Sequence, residues 1–393
     1  MRLTPRPYQE ECIQKNVEFL TSKKPGNSID VVPTAGGKAL IIAETIARLG
    51  EPTLILQPNK EILVQNLGRY RLHGFEASAY SASVNEKIVN DVTFATIGSI
   101  VRKPELFKHF KYLLLDECHF VSSKSGMYSD FIKAIGETKV LGLTATPFRL
   151  STSSFGSTLK FLTRTRPRIF SDVNYVIQTK TLFDQGFLCT PEYFDMRPYL
   201  EFDRRKIMSN STGAEFDDES LKAYMDSVSF TPFLVKTLTR LLEVRKRIVT
   251  FVRFTAHARE IANYFGDDVQ VVTAETPPKE RDQLIADWRS GKIKMLVNVG
   301  ILTVGVDVPE LDTVVMARAT KSLALWYQIC GRALRIHPDK KTCYIVDLCD
   351  NLSYFGKIED LHVGHDQKGL WEVTTTDLKN PGKRRPLTNC ILE

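Results

Sequence analysis

The sequence predicts an α/β protein of two tandem halves, each a parallel sheet with crossover helices, separated by a stretch of different character. Short apolar runs alternate with helical patterns over the first 150 residues, and that order calls for parallel strands joined by crossovers. The rhythm stops after Leu150 and returns at Thr231. A chain of 393 residues is also too long for one ordinary core and suits two domains plus an insertion.

The elements follow in order. Residues 28–32 read as a strand, 39–49 as a helix, 53–57 as the next strand, and the chain from about Lys60 as a helix. Residues 92–95, 112–115 and 140–143 are further buried strands. In the second half, 233–244 and 256–265 read as helices, and 247–252, 268–273, 294–298, 313–317 and 342–347 as strands. The chain thus divides into 1–150, a linker or insertion over 151–230 without clear alternation, a second α/β unit over 231–365, and a polar basic tail over 366–393.

Composition narrows the class. Hydrophobic residues make up 43% and charged residues 25%, as in a soluble globular protein. No apolar run approaches the roughly 20 residues that span a bilayer, and the first residues have no signal-like apolar stretch, so a cytoplasmic protein is expected, in the nucleoid of a bacterial or phage-infected cell. Seven cysteines without a CxxC pair read as buried thiols rather than a zinc or disulfide framework. The formal charge of +7 is compatible with a polyanionic partner.

Two stretches carry chemistry. Pro33-Thr34-Ala35-Gly36-Gly37-Lys38 lies between a predicted strand and a predicted helix, the setting of a phosphate-binding loop. Small residues let backbone N–H groups converge on phosphate oxygens, the helix N-terminus points at the same charge, and Lys38 adds a cation for the β- and γ-phosphates. The next residue should be Ser or Thr, whose hydroxyl ligates Mg²⁺, but here it is Ala39. A water can fill that coordination position, so ATP binding is expected to survive while turnover suffers. The apolar strand at 111–115 ends in Asp116-Glu117-Cys118-His119. Adjacent carboxylates at a strand end suit Mg²⁺–ATP, with Asp116 holding the metal through water and Glu117 activating the attacking water.

Asp-Glu-Cys-His is a form of the DExH box, and from residue 6 to about 350 the chain resembles superfamily 2 helicases. The resemblance implies two RecA-like domains with an ATP cleft between them. It assigns Gln9 to the adenine edge with Arg6 packed beside it. It makes Pro58 and Asn59, and Thr96 and Gly98, strand-end loops that touch a nucleic-acid backbone. Leu143-Thr144-Ala145-Thr146-Pro147 is similar to the motif that couples hydrolysis to domain movement. In the second half, Arg253 and Thr255 resemble a further backbone-gripping loop, with Thr255 a credible helix N-cap. Within 298–307, Thr303 is implied to face nucleic acid, and Gly305 and Asp307 the nucleotide. Tyr327 to Arg335 resembles the last motif, in which Gln328 helps place water and Arg332 and Arg335 reach the γ-phosphate. Arginines three apart share one helix face, and a planar guanidinium suits a phosphoryl group gaining charge. Supplied from the other domain, such arginines make hydrolysis depend on closure.

Within the superfamily the likeness is greatest to RadD-type bacterial repair helicases and related phage helicases, on Gly142 to Leu150, Gln185 to Pro191 and Asn298 to Pro309. The basic stretch at 159–170, with Phe161 and Phe170, reads equally as a base-stacking element or as a solvated basic loop over two core phenylalanines. Lys383-Arg384-Arg385 reads as a disordered basic end. The expected function is an ATP-driven helicase or translocase on duplex, forked or branched DNA in replication, recombination or repair. An RNA helicase, a restriction-system motor and a weakly hydrolysing nucleic-acid clamp remain alternatives.

Overall fold

The structure is a computed structural model that describes residues 4–123, 125–153, 156–301, 308–377, 380 and 382–390. Lobe 1 opens with α1 (Pro7–Thr21), which starts on a proline that needs no donor there. Seven strands follow: β1 (Asn27–Val31), β2 (Thr53–Gln57), β3 (Ser78–Ser81), β4 (Glu86–Lys87), β5 (Val92–Thr96), β6 (Tyr112–Asp116) and β7 (Lys139–Thr144). Between them run α2 (Lys38–Leu49), α3 (Lys60–Leu72), the short α4 (Ile97–Ile100) and α5 (Met127–Ile135). A hairpin of β8 (Phe148–Ser153) and β9 (Gly156–Phe161) leads to β10 (Phe170–Val176). The sheet order is β10-β1-β7-β6-β2-β5-β3-β4, parallel except for β3–β4. Its central strands β2 and β6 are buried throughout, so they appear in the sequence as unbroken apolar runs.

The chain crosses to lobe 2 through α6 (Thr179–Asp184). Lobe 2 holds β11 (Thr190–Asp195), α7 (Arg197–Leu200), α8 (Asp218–Ser227), α9 (Phe230–Val244), β12 (Ile248–Val252), α10 (Thr255–Phe265), β13 (Val269–Thr273), α11 (Pro278–Ser290), β14 (Met295–Val299), β15 (Thr313–Ala317), α12 (Leu323–Ala333), β16 (Thr342–Asp347) and α13 (Asn351–Phe355). Its sheet, β11-β16-β15-β12-β14-β13, is wholly parallel. One apolar cluster continues from lobe 1 into the lobe 2 face that carries Val249, Phe251 and Val314. A second covers the opposite face, with Val252 and Val315 against α9. The two lobes therefore share a packed seam.

Two regions differ from the sequence expectation, and a question left open within the first is settled. Residues 151–230 show regular elements after all and are divided between the lobes: β10 closes an edge of the first sheet and β11 an edge of the second. Phe161 and Phe170 are core residues, 0% and 2% exposed, so neither is placed to stack on a base. The tail is folded where it is described: β17 (His362–His365), β18 (Trp371–Thr376) and β19 (Arg384–Pro386) form a small antiparallel sheet. Arg384 bonds Thr374 and Asp360, and Arg385 bonds the carbonyl of Tyr354, so the basic run is tied down rather than loose.

That sheet returns to lobe 1. Trp371 stacks beside Phe161 and donates its indole N–H to Asp172 at 3.3 Å. Gln178 donates to the carbonyl of Val363 and accepts from its N–H, and Arg164 pairs with Asp366 at 3.0 Å. The C-terminal segment is thus a strap from lobe 2 onto lobe 1.

Candidate nucleotide site and nucleic-acid face

Parallel strands deliver their carboxyl ends to one edge of a sheet, and a ligand site at that edge needs only the loops that follow. In lobe 1 that edge carries the loop after β1 and the acidic pair after β6. Gly37 adopts φ +79°, a conformation that favours glycine, and a Cβ there would lie 2.3 Å from Gln9 Nε2 and would displace that side chain. Gly36 accepts from Tyr8 Oη at 2.9 Å and from Gln9 Nε2 at 3.2 Å. Ala35 also sits in the left-handed region, at φ +64°, a strain that the flanking bonds hold. Lys38 begins α2, and its Nζ lies 3.2 Å from Glu117 Oε1.

Asp116 and Glu117 sit side by side at the end of β6. Asp116 accepts from the N–H of Glu117 and from Asn66 Nδ2, both at 2.9 Å. Burial, and then the neighbouring Glu117 charge, push the Asp116 carboxyl up from its usual range. Burial acts the same way on Glu117, but Lys38 and His119 together outweigh it and hold Glu117 well down, as an ionised base. His119 Nδ1 lies 2.9 Å from Thr144 Oγ1 and 3.3 Å from Glu117 Oε2. This links the acidic pair to the end of β7.

Lobe 2 completes the site through α12. Ser322 caps that helix by accepting from the N–H of Leu325. Arg332 and Arg335, three apart, line the same cavity as Thr34, Ala35, Lys38, Ala39, Asp116 and Glu117, with a volume of about 340 Å³. Burial pulls both guanidiniums down to about 10, which leaves them charged at neutral pH. Gln328, one turn earlier, faces His119, with its Nε2 3.4 Å from His119 Nε2. It meets the acidic pair through that histidine and does not line the cavity.

The expected adenine contacts separate. Arg6 lines the cavity, its guanidinium 4.3 Å over the ring of Phe187. Gln9 is buried, and its side chain is spent on Gly36 and the N–H of Arg6. Phe187, from the crossing between lobes, and Asn66 and Arg69, from α3, line the cavity and have no counterpart in the sequence reading. Only the helical spacing of α3 could have pointed to the last two.

The backbone-gripping candidates occupy the same sheet edges. Pro58 and Asn59 follow β2, and Asn59 caps α3 by accepting from Ile62 N. Thr96 ends β5, within a hydroxyl cluster with Ser81 and Ser99, and Gly98 beside it is open. Arg253 follows β12 and pairs with Asp218 at 2.8 Å. Thr255 is the first helical residue of α10. Phe254 holds the N-cap position without a side-chain bond, so Thr255 is not the cap expected from sequence. Thr303, Gly305 and Asp307 lie outside the described residues. All seven cysteines are free thiols, and among the described residues no cluster suits a metal and no helix is long and apolar enough to cross a membrane.

Comparison with known proteins places this geometry. Residues 2–149 match the family described as "Type III restriction enzyme, res subunit", and residues 234–337 match "Helicase conserved C-terminal domain". The chain is 26% identical over 398 residues to irc3 of Schizosaccharomyces pombe, covering 96% of this chain and 62% of that protein. The chain belongs to the superfamily 2 helicases. The ATP-dependent DNA helicase uvsW of Enterobacteria phage T4 is 23% identical, with 89% of this chain and 69% of that protein covered. In fold, the chain superposes on a DNA-bound Type ISP restriction-modification enzyme, LlaBIII, with a TM-score of 0.65 at 15% identity, over 88% of this chain and 28% of that one. Both lobes are RecA-like, as the sequence resemblance implies.

Helicases of this superfamily use ATP with a divalent metal, and the cavity suits such a ligand. Among the described residues its lining holds five cations, Arg6, Lys38, Arg69, Arg332 and Arg335, and two carboxylates, Asp116 and Glu117. The protein offers a metal ion only Asp116 among the residues assigned to it, since Ala39 has no hydroxyl. Mg²⁺ would therefore keep most of its water shell there, as it does readily.

Proposed function

We propose that the chain is an ATP-driven motor that moves along or remodels duplex, forked or branched DNA in replication, recombination or repair. The observation that carries this reading is that Arg332 and Arg335 of lobe 2 share one cavity with Lys38, Asp116 and Glu117 of lobe 1. Bound ATP would supply the transferable phosphoryl group, and its metal would neutralise charge on the phosphate oxygens. Lys38 balances phosphate charge, Asp116 holds the metal's water shell, and Glu117 accepts the proton of the attacking water. Arg332 and Arg335 stabilise transition-state charge only when the lobes are together, so hydrolysis is linked to closure. The loops at Pro58, Asn59, Thr96, Gly98, Arg253 and Thr255 hold the backbone, one lobe at a time.

The DNA substrate is inferred from the likeness to uvsW, and the chain spans only about half to two thirds of curated relatives such as irc3. The test is ATP hydrolysis with single strands, duplexes, forks, four-way junctions and matched RNA duplexes. Forked or branched DNA is expected to stimulate most, and Arg332→Ala is expected to abolish stimulation. Equal rates with and without any nucleic acid would end the motor reading.

A restriction-system motor is the second reading, favoured by the family matched over residues 2–149. Such a motor displaces a third strand from long intact duplex as efficiently as it acts on forks, whereas a remodelling enzyme requires the branch.

A further inference from the structure

The carboxyl edge of the lobe 2 sheet carries two arginines side by side. β12 and β15 pair in parallel with Val252 opposite Ala317, so the next residues, Arg253 and Arg318, leave the sheet as neighbours. Arg253 is one of the backbone-gripping candidates, whereas Arg318 belongs to no motif named above. Neither lines the nucleotide cavity.

Two acids stand near them, both from the stretch that leads into α8. Glu215 is committed elsewhere: its oxygens accept from Thr320 Oγ1 at 2.6 Å and from the N–H of Lys321 at 2.8 Å, which fastens that stretch to the loop after β15. Asp217 caps α8 by accepting from the N–H of Ser220, and this sets Asp218 in the first turn. Asp218 then accepts from Arg253 Nε at 2.8 Å and from Nη2 at 3.3 Å. Arg318 lies within reach of the same charges. Burial and then the Arg253 charge make it easier to deprotonate, while Glu215 and Asp218 act the other way. Its Nε is buried and, among the described residues, has no hydrogen-bond partner. A buried guanidinium nitrogen left so is costly, and an anion at this edge would satisfy it.

A phosphodiester offers two oxygens in much the same fork as a carboxylate. It can therefore take the place that Asp218 holds on Arg253, and it can also meet Arg318 from the neighbouring strand. The exchange is easy because the Asp218 and Arg253 side chains are 58% and 25% exposed, and an ion pair so open to water is readily given up.

We propose that Arg318 is a second phosphate-gripping residue of lobe 2, paired with Arg253 across adjacent strand ends, and that Asp218 is a placeholder that a nucleic-acid phosphate displaces. This rests on the nucleic-acid reading given above. It adds a contact outside the recognised motifs and gives the stretch before α8 a part in binding.

The experiment follows a fluorescent forked DNA by anisotropy, over about 0.05 to 0.2 M salt, with the full chain and with Arg253→Gln, Arg318→Gln, Arg318→Lys, Asp218→Asn and the Arg253→Gln/Asp218→Asn double variant. Arg318→Gln is expected to weaken binding on the order of 10-fold and to lower the slope of log K against log salt by about 1, the mark of one lost phosphate contact, while Arg318→Lys keeps the slope. Asp218→Asn is expected to tighten binding about 2- to 5-fold, the scale of a surface ion pair that no longer has to break, and this gain should vanish when Arg253 is also replaced. If Arg318→Gln binds as the parent does while Arg253→Gln is weakened, the role of Arg318 is refuted and the lobe 2 grip stands. If both bind as the parent does, the nucleic-acid reading of this edge is wrong. A gain from Asp218→Asn that is absent, or that persists without Arg253, overturns the placeholder. Should Arg318→Gln melt early, the arginine Nε–H resonances of the unmodified chain decide. The Arg318 signal, assigned by its loss in Arg318→Lys, is expected to shift when the DNA is added, and an unmoved signal refutes the contact.

Discussion

Gly331 on α12 packs so closely on Thr34 of the phosphate loop that a Cβ at 331 would lie 2.7 Å from Thr34 Cβ. Glycine is what lets the helix bearing Arg332 and Arg335 approach that loop. Gly331→Ala must separate the two by a fraction of an ångström, and a misplacement near 1 Å can cost on the order of 100-fold in rate. The expected result is a fall of roughly 10- to 100-fold in DNA-stimulated kcat. Binding of ATP to lobe 1 should stay close to normal, as read by fluorescent nucleotide titration. Unchanged kcat would mean that the seam closes without this contact.

A second seam contact works through a proton. An amide nitrogen only donates, so Gln328 Nε2 facing His119 Nε2 makes that ring nitrogen the acceptor and leaves the proton on Nδ1, toward Thr144 and Glu117. Thr144 Oγ1 in turn accepts from the N–H of Thr146. Lobe 2 thereby reaches Glu117 and the β7 loop through one imidazole. Gln328→Ala and His119→Ala are each expected to lower stimulated kcat by about 10- to 100-fold, and the double variant no further, because residues acting as one unit are non-additive. Multiplicative losses in the double-mutant cycle would show that the two act separately.

The legible parts of this chain are those where physics leaves few choices. Strands buried on both faces must be continuous apolar runs, so β2, β6, β12 and β15 are evident from sequence. Lys38 and the Asp116–Glu117 pair stand out because charge at a strand end needs a reason. β18 does not stand out: of its six residues only Val373 and Thr375 are buried, too short a pattern to signal a strand. Nor do Asn66, Arg69 and Phe187, which acquire meaning only when α3 and the crossing segment are packed against the loop. The sequence left Phe161 and Phe170 open between base stacking and the core because they stand beside so many basic residues, and packing decides it: each fills the core.

Ala39 is the second residue of the phosphate-binding helix and lines the cavity without a hydroxyl. Ala39→Ser adds the oxygen that a metal ion would otherwise replace with water. The expected outcome is a lower Mg²⁺ concentration for half-maximal ATPase and a kcat raised by up to roughly 10-fold, about 1.4 kcal/mol in the barrier. A magnesium titration of both proteins decides it. Identical curves would show that the water shell serves as well as the hydroxyl.

Asp30, next to the end of β1, is completely buried and accepts from Asn174 Nδ2 at 3.1 Å and from the Cys12 thiol at 3.6 Å. Burial, only partly offset by these bonds, raises its carboxyl from 3.8 to about 7. Between those values the unfolded chain releases a proton that the folded chain keeps. The contribution of Asp30 to stability is therefore full below about pH 4, declines as pH rises and levels off above about 7. Asp30→Asn removes this titration. Its Tm relative to the parent is expected to rise by on the order of a few °C between pH 5 and 7.5. A Tm difference that does not vary with pH would mean that Asp30 ionises normally in the folded chain.

The C-terminal strap should be separable from the motor core. Its hold on lobe 1 rests on Trp371 beside Phe161 and on the paired bonds between Gln178 and Val363. Trp371 is only partly buried, so Trp371→Ala is expected to cost about 2 kcal/mol, below the range for a fully buried tryptophan. The small antiparallel sheet has few buried side chains of its own, and should then detach while both parallel sheets persist. Limited proteolysis is expected to cut the variant near residue 370 first and leave a resistant core of both lobes. Because the strap is continuous with lobe 2 and grips lobe 1 through these non-covalent contacts, beside the covalent crossing at α6, its release should also loosen the link between DNA binding and hydrolysis. Basal ATPase would rise and the stimulated rate fall. A variant that keeps both rates, despite cleavage at the strap, would confine the strap to a structural role.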